Sequence, residues 1–151
     1  MLYHIACAVH DVHLYMLTIK ETELQKIIEH CHLEYPNEAC GILAGSKCIV
    51  ELAIKMTNTD SSPSSYAMDP QEQLRVVKNM RQAGLELVGI YHSHTGSEAY
   101  PSSTDVRLAY YPDTAYVIVT LLDRSCPVVK GYRIKNDSVK ELHMNIVVEE
   151  R

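Results

Sequence analysis

Residues 90–105 read IYHSHTGSEAYPSSTD, and the fold turns on how that stretch divides. Joined to the preceding LELVG, its first five residues complete an apolar run, 85–94, that reads as a buried strand ending in two histidines. A loop of Thr, Gly, Ser and Pro follows, and Ser102-x-x-Asp105 is a capping-box pattern that opens a short helix through STDVRLAYY (103–111). Side chains at i and i+2 of a strand share a face, so His92 and His94 emerge side by side and can aim at one point. The same H-x-H spacing at His30 and His32 falls in a helical pattern, where two residues subtend about 200° and the rings diverge. That second pair is expected to be solvated surface, and His10 with His13 would converge only on a helix.

Working upstream, DPQEQLRVVKNMRQAG (69–84) predicts a helix. Asp69 suits the N-cap, Pro70 the first position and Glu72 the capping box, while Gly84 closes the far end in the left-handed conformation. Before it, MTNTDSSPSSYAM (56–68) has no usable period and reads as a surface loop suited to binding. CGILA (40–44) and CIVELAI (48–54) form a hairpin around Gly45-Ser46, where glycine tolerates the positive φ of a tight turn. Leu24, Ile27, Ile28 and Cys31 define the buried face of an earlier helix, capped by Thr22 with Gln25 and stopped before Pro36. MLTIK (16–20) leads into that helix as a strand. Downstream, AYVIVTLL (115–122), VVKGYRI (128–134) and SVKELHMNIVV (138–148) add three more strands. The order gives one α/β domain, a mixed β-sheet flanked by helices, with no internal repeat or linker.

The bulk numbers agree with one domain of 151 residues. The net charge is -5 and Lys and Arg form no run, so neither a nucleic acid nor a membrane is expected as partner. Five cysteines without a C-x-x-C pair exclude a disulfide framework and a thiolate cage, and point to a reducing, cytoplasmic setting. Residues 1–15 carry no Lys or Arg and too many histidines for an export signal. They are expected to be an N-terminal extension of unknown role, with Met16 the natural start and 16–151 the catalytic domain.

Asp105 has two readings, as a helix cap and as a carboxylate near the two imidazoles. Taken with His92 and His94 it makes a three-ligand set of the kind that binds Zn2+ and leaves a fourth position open, the mark of a catalytic site. Metal-assisted hydrolysis needs a base that is not itself a ligand, and Glu38, in YPNEACGILAG at the start of the first hairpin strand, is the candidate. Cys40 with a histidine base is a rival nucleophile, though it leaves the paired histidines unexplained.

Glu38, then His92-Ser93-His94, seven residues, Ser102, two residues and Asp105 together resemble the JAMM motif of the MPN-plus metalloproteases. The resemblance runs from about Met16 to the C-terminus. It implies a cytidine-deaminase-like fold with catalytic Zn2+ on His92, His94 and Asp105. It further implies Glu38 as proton shuttle, and Ser102 as hydrogen-bond donor to the oxyanion. The compact chain is similar to the prokaryotic branch that acts on ubiquitin-like sulfur-carrier proteins. That implies a peptidase or isopeptidase cutting after a C-terminal Gly-Gly tail, with the tail added beside a free sheet edge between the 57–69 and 95–101 loops. A silent MPN scaffold and a DNA-repair-associated JAMM relative are the alternatives, and homodimerisation is left open. One departure stands out: many relatives carry Pro after the second histidine, whereas this chain has Thr95-Gly96.

Overall fold

The computed structural model describes residues 15–150; residues 1–14, with most of the expected extension and its histidines, and Arg151 lie outside them. Strand β1 (Met16–Lys20) runs straight into helix α1 (Glu21–Glu34), and the hairpin β2 (Cys40–Ser46) and β3 (Ile49–Met56) follows. Helix α2 (Pro70–Gln82), strand β4 (Glu86–His94) and helix α3 (Ser103–Arg107) carry the chain to β5 (Ala115–Thr120), β6 (Val128–Lys135) and β7 (Ser138–Val147). The sheet order is β1-β3-β2-β4-β5-β6-β7, and parallel pairing of β1 with β7 from Met16↔His143 to Lys20↔Val147 closes it into a barrel. The α/β class is as expected; the closure is not written in any single segment. Among the described residues no helix is long and apolar enough to cross a membrane.

Period-two alternation gives the central strands two apolar faces. Tyr91, Val117, Val119 and Leu43 face α1, whose Leu24, Ile27 and Cys31 complete that core. The opposite face carries Ile90, Ile118, Cys40 and Ile42 toward α2 and the 57–69 loop. His92 and His94 belong to this second face, away from α1.

Three local expectations change. Helix α1 begins at Glu21 after Lys20, which makes no side-chain cap, so Thr22 and Gln25 form no capping box; the strand feeds the helix directly. In α2, Asp69 accepts the Glu72 N–H at 2.8 Å as expected, but the Glu72 carboxylate turns outward to the Thr57 N–H at 3.3 Å. In the β2–β3 turn the positive φ falls on Lys47, at 57°, and not on glycine. Gly45 sits instead at the register shift beside Ala44, where a Cβ would lie 1.9 Å from the Ile49 carbonyl oxygen. Close approach, and not turn geometry, demands that glycine.

Among the described residues the sheet has no terminal strand of the kind expected for a docking tail, because each strand has a neighbour on both sides. Partly open stretches remain: β6 meets β7 only from Gly131 onward, and β3 meets β1 at Ile49 and Val50 alone. Beyond them the Glu23 carboxylate of α1 accepts the Ala53 N–H at 2.8 Å, standing in for a missing strand carbonyl.

Candidate active site

Strand β4 is buried from Val88 to its end, so its last two outward positions bring imidazoles to the barrel rim without solvent around them. His92 Nε2 and His94 Nε2 lie 3.1 Å apart, and Asp105 Oδ2 lies 3.3 Å from the first and 3.1 Å from the second. The same carboxylate oxygen accepts the Ser102 N–H at 2.8 Å, and the Ser102 hydroxyl accepts the Asp105 N–H at 3.0 Å. The two readings of Asp105 therefore hold at once: the capping box fixes the carboxylate, and the fixed carboxylate faces the histidines.

His94 Nδ1 is 2.7 Å from the Glu98 carbonyl oxygen. A carbonyl only accepts, so the proton belongs on Nδ1 and the Nε2 lone pair of the neutral ring points at Asp105. Electron pairs meeting at such distances repel unless a proton or a cation lies among them. Four-coordinate tetrahedral ions with bonds of about 2.0 Å hold their ligands about 3.3 Å apart. The observed separations fit that geometry, and among the described residues this is the one group of three or more His, Cys, Asp or Glu side chains whose donor atoms converge closely enough to hold a metal ion.

Charge follows the same layout. Burial opposes ionisation of Asp105, but the two imidazoles and the Ser102 N–H outweigh it and hold its pKa well below the usual carboxylate range. Burial lowers the His92 pKa despite Asp105, whereas at His94 Asp105 and the Glu98 carbonyl overcome burial and raise it. Glu38, 5% exposed, is pushed up to about 7, mainly by burial, with Asp105 and Asp60 adding to the shift and His94 opposing it. Glu38 thus stands within electrostatic reach of the three-donor set without belonging to it.

Of the residues singled out from sequence, His92, His94, Asp105 and Ser102 come together and Glu38 adjoins them. Cys40 does not qualify as a nucleophile: it is fully buried, and burial pushes its thiol up to about 12. His30 corrects the surface reading of the second pair. It is 5% exposed, with Nδ1 2.8 Å from the Tyr91 hydroxyl, while His32 is exposed. The ring turns inward because Tyr91 offers it a partner in the core.

Other contributors escaped the sequence reading. Tyr66 stacks on His92 with ring centroids 4.6 Å apart and planes at 27°, covering a ring whose buried Nδ1 has no hydrogen-bond partner among the described residues. Ser93 Oγ accepts the Ala39 N–H at 2.8 Å and so ties the residue after Glu38 to the histidine strand. The 57–69 loop does form a wall, and a cavity of about 330 Å³ opens between it and α3, lined by Tyr66, Met68, Ile90, Asp105 and Leu108. The wall was expected from the sequence, but nothing in it singled out Tyr66.

Known proteins share this architecture. A JAB1/MPN domain protein from Archaeoglobus fulgidus matches with a TM-score of 0.60 at 20% identity over 87% of this chain and 98% of its own, a likeness of fold. The solution structure of a Desulfitobacterium hafniense protein matches with a TM-score of 0.81 at 38% identity, covering 89% and 94%. The CysO-cysteine peptidase of Mycobacterium tuberculosis is 42% identical over 135 residues, 88% of this chain and 92% of its own length. Fold and centre together define a metallopeptidase of the JAMM type. Residues 20–134 match the prokaryotic homologs of the JAB domain, and the chain belongs to that family.

Proposed function

We propose that this protein is a cytoplasmic zinc peptidase that releases an amino acid or peptide from the C-terminal Gly-Gly of a ubiquitin-like sulfur-carrier protein. The carrying observation is the set of three donor atoms separated by 3.1–3.3 Å beside a carboxylate raised to about 7. His92, His94 and Asp105 would hold the Zn2+, which when bound supplies Lewis acidity to the cleft. Glu38 takes a proton from the attacking water and returns it to the departing amine, a task suited to a carboxylate whose pKa lies near the working pH. Ser102 Oγ uses its lone pair on the Asp105 N–H, which leaves its own O–H to donate to the oxyanion. The cavity beside Asp105 takes the extended tail, whose glycines let the backbone pass close to the metal ligands.

Support for the substrate comes from the 42% identity to a protein named for cleaving CysO-cysteine, spread over nearly the whole of both chains. The test is incubation with a Gly-Gly-tailed carrier bearing one added cysteine, with and without chelator, read by mass spectrometry. Loss of that residue only in the unchelated sample is expected. An intact carrier at full metal loading would overturn the reading.

A further inference from the structure

Glu38 precedes β2, which begins at Cys40, so no sheet ladder fixes its backbone. Its two polar backbone groups are held by the 57–69 loop instead. The Glu38 N–H donates to the Ser62 carbonyl at 2.8 Å, and the Glu38 carbonyl accepts from Asn58 Nδ2 at 3.0 Å. The same Nδ2 donates to the Ser65 carbonyl at 3.0 Å, while Asn58 Oδ1 accepts the Asp60 N–H at 3.0 Å and the Ala67 N–H at 3.1 Å. All four partners demand this orientation of the amide, since carbonyls only accept and N–H groups only donate. Asp60, Ser65 and Ala67 also line the cavity beside Asp105.

We propose that Asn58 is a positioning residue for the proton-transfer step. Through the Glu38 carbonyl it fixes the backbone that carries the base, and through its three loop bonds it makes the cavity wall part of the same rigid unit. A side chain with two donors and two acceptor lone pairs in one plane is needed, which among uncharged residues of this length only asparagine supplies. The inference rests on the reading of Glu38 as base and extends it to the residue that holds the base in place.

The test compares wild type with Asn58→Asp, which keeps the acceptors for Asp60 and Ala67 but loses both donors, and with Asn58→Ala, which loses all four bonds. Metal content, kcat and KM on the cysteine-bearing carrier, and amide hydrogen exchange are read together. Both variants are expected to bind metal at the wild-type ratio, to exchange the Glu38 amide faster, and to lose about 10 to 100-fold in kcat. Asn58→Asp should leave KM within about threefold, because the loop turn survives. A kcat within about twofold of wild type, or activity lost in step with metal, overturns the proposal; the latter result would mean a general structural role. If Asn58→Ala fails to fold, Asn58→Asp decides alone. If wild type leaves the carrier uncut, the substrate reading falls, and the exchange comparison still judges Asn58: unchanged protection at Glu38 in Asn58→Asp sinks it.

Discussion

Asp105 Oδ2 meets Ser102 N–H and both imidazole nitrogens, so an amide at that position tests a cap and a ligand at one atom. Asp105→Asn keeps the shape and removes the charge; metal content after dialysis is expected to fall at least tenfold, with the protein still folded by circular dichroism. Glu38→Gln should keep the metal and lose turnover, because only the proposed proton shuttle goes; full activity would show that the base lies elsewhere. The pH behaviour follows from the raised pKa. In its proposed role as base Glu38 works ionised, so kcat/KM should decline as pH drops through about 7, and a cation beside the carboxylate moves that limb lower. Stability of the metal-free chain has the opposite slope. The folded state holds the Glu38 proton more tightly than the unfolded state, from the ordinary 4.5 up to about 7, so stability declines as pH rises through that window. Glu38→Gln removes the decline: its metal-free Tm should exceed that of wild type at pH 8 and match it at pH 4.

At the level of elements, the Thr95 hydroxyl donates to the Pro63 carbonyl at 2.9 Å, joining the residue after β4 to the 57–69 loop. Thr95→Pro removes that bond, worth about 1 kcal/mol, and should raise KM roughly two- to tenfold with metal content unchanged. Glu23→Ala leaves the Ala53 N–H of β3 without its acceptor and should cost about 1–3 kcal/mol in denaturant unfolding. What was legible in the sequence was local. The Asp69 cap, the Ser102–Asp105 box and the alternation that sends His92 and His94 to one face all depend on residues within four positions of one another. What was hidden depends on partners far along the chain: Asn58 reaches Glu38 twenty residues back, Glu23 meets Ala53 thirty residues on, and His30 finds Tyr91 across the core. Gly45 misled for the same reason, since the demand for it comes from the returning strand and not from the turn.

For the whole molecule, the pairing that shuts the barrel joins its first described strand to its last. Removing residues through Lys20 would strip β7 and β3 of their shared neighbour, and the truncated protein is expected to associate in a concentration-dependent way by light scattering. His92, His94 and Asp105 would all remain in such a chain, so the experiment separates barrel closure from the chemistry proposed at its rim. Closure also sets a timetable for biosynthesis. Because Lys20 pairs with Val147, a nascent chain on the ribosome can set β1 against the hairpin and add the histidine strand early, but the β7 side of β1 must wait until residue 147 has emerged. During that interval the growing polypeptide displays an unsealed seam, where unpaired strand edges are open to association with other chains.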